Sequence, residues 1–96
     1  MTRQTRRLCV PKEHPTAALH FPGLPVVPGA LLLAETAALI AGSVPLRFRA
    51  VKFVAPVRHG EALELDWLME ARLASFRLLR SADAAPVMTG TLEILA

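Results

Sequence analysis

Hydrophobic and polar positions divide this chain into a strand, a stiff loop, one helix and a run of strands. Residues 5–10 read as a short first strand, with Leu8 and Val10 on one face. Residues 11–28 hold five of the eight prolines, namely Pro11, Pro15, Pro22, Pro25 and Pro28. Each fixes φ and removes an amide donor, which predicts an ordered irregular loop rather than a helix or a central strand. Pro28 suits the first position of a helix. Gly29 to Ala41 are apolar nearly all round, predicting a helix buried on most sides and stopped by Gly42. Leu46, Phe48 and Ala50 then alternate with Arg47 and Arg49, and a slip at Val51, Phe53 and Val54 suggests a bulge or a strand buried on both faces. Arg58-His59-Gly60-Glu61 is a turn. Leu63, Leu65, Trp67, Met69 and Ala71 alternate with Glu64, Asp66, Leu68 and Glu70, predicting a half-buried strand. Residues 75–81 and 87–95 complete the series, with Asp83-Ala84-Ala85-Pro86 as the turn between them.

One long apolar helix and four or five antiparallel strands predict an α+β layer architecture, a single domain over residues 1–96. A domain of 96 residues with 53% hydrophobic residues and a mean hydropathy of +0.42 carries more apolar surface than it covers alone. A dimer, or a larger oligomer, is the expected outlet. The net charge of +3 is spread along the chain apart from Arg3, Arg6 and Arg7, and tyrosine is absent. Nucleic-acid binding, which wants a basic stripe with aromatic platforms, is therefore not expected. A single cysteine, Cys9, excludes an internal disulfide and fits a reducing compartment; it reads as a small strand hydrophobe. Pro11, Lys12 and Glu13 interrupt any apolar run of signal-peptide length after the basic N-terminus. The stretch Ala30 to Ala41 is too short to span a bilayer and contains Glu35. A cytoplasmic protein without a membrane span is expected.

Chemistry concentrates in His20-Phe21-Pro22-Gly23-Leu24-Pro25-Val26-Val27-Pro28-Gly29. A histidine here stands shortly before a helix whose start has no capping side chain, since Val27 accepts no hydrogen bond. The amides of Gly29 and Ala30 are then left for another oxygen. An uncapped helix N-terminus suits an oxygen that gains negative charge. Gly29 allows close approach to the backbone, and histidine is the side chain that moves protons near neutral pH.

This stretch resembles the signature of the bacterial β-hydroxyacyl-acyl-carrier-protein dehydratases, HFPGxPVxPG followed by the helix of the hot-dog fold. The likeness extends to His14-Pro15 upstream and to Lys52-Phe53, Pro56-Val57 and Gly60 downstream. Ala30-Leu31-Leu32-Leu33 followed by Glu35 is most similar to the aryl-polyene branch. The resemblance implies a hot-dog fold, a long helix wrapped by a curved antiparallel sheet. It implies a homodimer, or a heterodimer with another hot-dog subunit, and substrate tunnels at the interface. The substrate it implies is a (3R)-hydroxyacyl thioester on acyl carrier protein, dehydrated to the trans-2-enoyl thioester in fatty-acid or polyene synthesis without metal or organic cofactor. By the same resemblance His20 is the base, the Gly29 amide holds the thioester oxygen, and Phe21 and Pro28 line the substrate site.

The chain departs from the pattern in two places that matter to the chemistry. One is Leu19, where the family usually has glycine before the motif histidine and where bulk would narrow the tunnel or shift His20. At the other, the family's helix carboxylate lies fourteen residues after the histidine, where this chain has Ala34. Glu35 follows, about 100° further round the helix. Either Glu35 supplies the acid, or a partner chain does, or elimination is lost and the chain is a weakened subunit completing an active dehydratase. A hot-dog thioesterase, with Glu35 activating water or attacking the thioester, is a further option. Structural alternatives stand beside these roles: Glu35 paired with Arg47 or Arg49, Gly29 as a packing glycine, and His20 bonded to loop backbone. His14 is expected to order the proline loop and His59 to decorate a turn. Three histidines so scattered give no metal-ligand spacing. Most arginines read as solvated, with Arg47, Arg49, Arg58 or the Arg3–Arg7 arm as a possible dock for an acidic carrier protein.

Overall fold

The computed structural model describes residues 2–18 and 26–95. In chain order the elements are β1 (Thr2–Leu8), a 3₁₀ turn (Pro15–Ala18), α1 (Gly29–Ala41), β2 (Leu46–Phe53), β3 (Leu63–Glu70), β4 (Leu73–Arg80) and β5 (Pro86–Ile94). The strands form one antiparallel sheet in the order β1-β3-β4-β5-β2. Leu63, Leu65 and Trp67 of β3 and Met88 and Leu92 of β5, which the sequence alternation sets on one face, lie in the buried core together with Ala74, Phe76 and Leu78 of β4. Leu32 of α1 joins them, with Leu31, Leu33 and Ile40 packed at the margin. Phe48 and Phe76 meet edge to face at 6.2 Å and 75°, the arrangement that ring quadrupoles favour.

Several expectations shift. The first strand runs over Thr2–Leu8 rather than residues 5–10, and Cys9 lies beyond it and exposed. Polar Thr, Gln and Arg residues carry no hydrophobic alternation, and this edge strand is specified by its seven-residue pairing with β3. The irregularity in β2 falls between Phe48 and Ala50, not at Val51–Val54. Beside it, Gly90 leaves room that a Cβ would fill by running into the Ala50 carbonyl and the Phe76 ring. The bulge and the bare glycine together let β2 close on β5.

The helix also differs from expectation. Only Leu32 and Thr36 are buried, while Ala30, Ala34, Glu35, Ala38 and Leu39 are exposed. One sheet covers one face of a helix, so an all-apolar helix keeps an uncovered side within a single chain. On the outer face of the sheet, Asp66 is buried rather than solvated. Arg3 and Arg77 both donate to its Oδ2, at 2.9 and 3.0 Å. These two arginines cover a carboxylate that the alternation assigns to solvent.

Two local features give measurable expectations. The β3–β4 hairpin turns through Ala71 at φ +54°, a left-handed conformation that costs a Cβ-bearing residue about 1–2 kcal/mol. Ala71→Gly is therefore expected to stabilise the fold by about 0.5–1 kcal/mol in denaturant melts, part of the relief being offset by the freer unfolded chain. The second feature is Glu61. It accepts from the Arg58 amide at 3.1 Å and from the Arg80 guanidinium, and Arg80 also donates to the Pro56 carbonyl at 2.8 Å. Burial pushes the Glu61 carboxyl up, but the Arg80 and Arg58 bonds and both positive charges outweigh it and hold it below its ordinary 4.5. A carboxyl depressed in the folded state stabilises the fold above its unfolded value and loses that contribution as pH falls through the folded one. Wild type is expected to lose more stability than Glu61→Gln between pH 5 and pH 2–3, as read by melting temperature.

Candidate functional site

The start of α1 is fixed by the turn over residues 56–61. The Val27 amide donates to the Val57 carbonyl at 2.8 Å, and Val26 pairs with Arg58 in an isolated antiparallel bridge. Pro28 then takes the N-cap with φ −59° and ψ 140°, one residue earlier than the first helical position expected for it. Its fixed φ already fits the helix, and its carbonyl accepts from the Leu31 and Leu32 amides at 3.0 and 3.2 Å. No side chain caps this end. Among the described residues neither the Gly29 nor the Ala30 amide donates a hydrogen bond. Both project from the positive end of a helix of 13 residues, where a developing oxyanion is stabilised.

Gly29 is glycine for a steric reason. A Cβ there would lie 2.9 Å from the ring of Phe53. That ring, 51% exposed at the end of β2, stands against the helix start. Gly29→Ala would force it aside. The substitution is expected to cost about 1 kcal/mol in wild type and almost nothing with Phe53→Ala, a coupling read from a double-mutant cycle of melts.

The sequence-derived residues are placed as follows. Gly29 and Pro28 meet at the helix start, both half-buried. Glu35 lies six residues on, about 9 Å along the axis, and is exposed, as is Ala34. Among the described residues Glu35 makes no ion pair; Arg49 instead pairs with Glu93 at 3.1 Å, and Arg47 is exposed. His20 and Phe21 lie outside the described residues. Among the described residues no group of three histidine, cysteine, aspartate or glutamate side chains converges as metal ligands, and no helix is long and apolar enough to cross a membrane.

One buried histidine escaped the sequence reading. His59 does not decorate its turn; it is 6% exposed. Its Nε2 lies 2.8 Å from the Thr16 hydroxyl, which is in turn 2.8 Å from His14 Nδ1. Forty-three residues separate Thr16 from His59, and no local pattern announces a contact over that distance.

No protein-family model matches the sequence, and no curated protein matches it. Solved structures do. The dehydratase heterocomplex ApeI:P from Xenorhabdus doucetiae is 19% identical with a TM-score of 0.77, over 98% of this chain and 88% of that one. The (R)-hydratase from A. caviae involved in PHA biosynthesis is 14% identical with a TM-score of 0.62, over 98% and 95%. A 1,4-dihydroxy-2-naphthoyl-CoA thioesterase from Synechocystis is 13% identical with a TM-score of 0.63, over 97% and 81%. At such identities the likeness is one of fold. It is the hot-dog-like fold, a single helix against a five-stranded antiparallel sheet, shared by dehydratases, hydratases and thioesterases.

Proposed function

We propose that the chain is a cytoplasmic hot-dog hydro-lyase subunit that converts a (3R)-hydroxyacyl thioester, carried on acyl carrier protein, to the trans-2-enoyl thioester. The observation that carries this reading is the uncapped start of α1, where two amides that donate no hydrogen bond among the described residues meet the end of the HFPGxPVxPG motif. The Gly29 amide donates to the thioester oxygen as it gains charge. His20 takes the α-proton, and the C–H electron pair forms the Cα=Cβ bond. The C–O bond breaks and the hydroxyl leaves as water, with its proton supplied by an acid. Glu35 is that acid if it reaches the site across a subunit interface. The chemistry needs no redox partner. The motif favours the aryl-polyene branch, and exposed Arg47 and Arg58 supply positive charge for an acidic carrier.

Ala34 favours a second reading. An alanine where the family carries its carboxylate makes this chain one half of a heterodimer whose partner brings the acid. The exposed apolar side of α1 and the exposed Phe53 and Val54 are what such a subunit would cover, and a neighbouring structure is itself a heterocomplex.

Product analysis separates these readings. The purified chain is incubated with a (3R)-hydroxyacyl pantetheine thioester, alone and with a second hot-dog subunit encoded beside it. Enoyl absorbance from the chain alone is expected and sinks the partner-only reading. Enoyl formation only in the mixture establishes the heterodimer. Release of free thiol without enoyl absorbance overturns the dehydratase assignment in favour of a thioesterase.

A further inference from the structure

The ring of Phe53 borders the space into which the first amides of α1 project. A Cβ on Gly29 would lie 2.9 Å from two ring carbons of Phe53 and 3.5 Å from a third. Helical Cα–Cβ bonds tilt toward the helix N-terminus, and the first amides of a helix leave from that same end. The ring therefore stands beside whatever the Gly29 N–H would bind, on the side that a side chain at position 29 would take.

Its place is held by backbone. Phe53 ends β2, opposite buried Met88 of β5. The next two amides, of Val54 and Ala55, both donate to the Val87 carbonyl, at 2.9 and 3.3 Å. Just beyond, the Val57 carbonyl accepts from the Val27 amide at 2.8 Å and sets the entry to α1. The stretch 53–57 thus carries both the ring and the bond that places the helix start. Ring and amides keep their separation because one run of backbone holds both. The residue is still 51% exposed, so its ring has apolar surface left for a ligand.

We propose that Phe53 is a specificity-determining residue, which bars acyl thioesters branched at the α-carbon. The proposal rests on the reading of the Gly29 amide as donor to the thioester oxygen. It names the substrate class of that site, 3-hydroxyacyl chains with two hydrogens on the α-carbon. An oxygen bonded to the Gly29 amide lies about 2.9 Å from its nitrogen. The α-carbon is two bonds behind that oxygen, which brings it alongside the ring. One α-hydrogen leaves in the reaction. A methyl group in place of the other needs room that the ring occupies, and swinging the ring off Gly29 costs binding. The branch is rejected by a wall and not by a lost contact.

Phe53→Ala and Phe53→Leu test it in two readouts. The first needs no turnover. The probes are the (3R)-hydroxybutyryl pantetheine analogue in which nitrogen replaces the thioester sulfur, and its 2-methyl homologue. Each is titrated into the protein and followed by the Gly29 amide in the ¹H–¹⁵N spectrum. In wild type the unbranched probe is expected to shift that amide and the branched one to bind at least about tenfold more weakly. Phe53→Ala should bring the two affinities within about threefold, with Phe53→Leu between. The second readout is enoyl formation from the two thioesters. The effect of the methyl group on α-proton acidity is the same in every variant, so it cancels when preferences are compared. The kcat/KM preference for the unbranched thioester is expected to fall by about ten- to a hundredfold in Phe53→Ala. Equal affinities in wild type, or a preference unchanged in Phe53→Ala, overturns the role of Phe53. A Gly29 amide unmoved by either probe overturns it together with the amide site. Discrimination between the probes without enoyl formation upholds the wall and refutes the dehydratase reading. Should Phe53→Ala fail to fold, Phe53→Leu gives the same decision.

Discussion

His20→Ala is expected to lower enoyl formation by about two to four orders of magnitude, the usual worth of a positioned general base. The loss should fall on kcat, with KM little changed, because the imidazole acts on the α-proton in the transition state and contributes little to holding the acyl chain. The Gly29 amide would remain, so residual turnover above the uncatalysed rate is expected, as an oxyanion donor works without the base. Undiminished turnover in a well-folded variant would reject His20 as base and leave an amide site without a proton acceptor.

The largest expected effect on stability belongs to Phe76→Ala. Phe76 is buried at the middle of β4, faces Phe48 edge to face, and fills the space left by Gly90 across the strand pair. Removing the ring forfeits its transfer energy and leaves a cavity that the sheet cannot collapse, because β5 and β3 hold β4 on both sides. A cost of about 3–5 kcal/mol follows, a large part of the whole stability of a domain this size. Urea titration should show the midpoint falling sharply, and expression as inclusion bodies would agree. A loss below about 1 kcal/mol would mean that the core packs differently around Phe48 and Gly90.

The parts of this molecule legible in the sequence are those written in local patterns. The helix bounds followed from Pro28, the apolar run and Gly42, and the structure places α1 at Gly29–Ala41. β3 followed from the alternation of Leu63, Leu65 and Trp67 with charged residues. The uncapped helix start followed from Val27, which has no side-chain acceptor; the structure moves the cap to Pro28, which has none either. What was not legible depends on contacts made at a distance. β1 is a strand because β3 lies beside it, and its own residues are polar on both faces. Asp66 is buried because Arg3 and Arg77 reach over it from neighbouring strands. His59 is a core histidine because a threonine from the proline-rich segment meets it. The exposed side of α1 is a further case: apolarity all round predicts burial on most sides, but no local pattern says which of its residues one sheet leaves uncovered.

The central claim is that an acyl thioester binds at the start of α1 and that its α-proton is removed there. Mass spectrometry of a (3R)-hydroxyacyl pantetheine thioester incubated with the purified chain in D₂O tests that step directly, whether or not Glu35 completes the elimination. The account predicts either the enoyl thioester, lighter by one water, or recovered substrate carrying deuterium at the α-carbon, and at least about a hundredfold less of either in His20→Ala. Recovery of unlabelled, undehydrated thioester from the wild-type chain, alone and with a second hot-dog subunit, would contradict it.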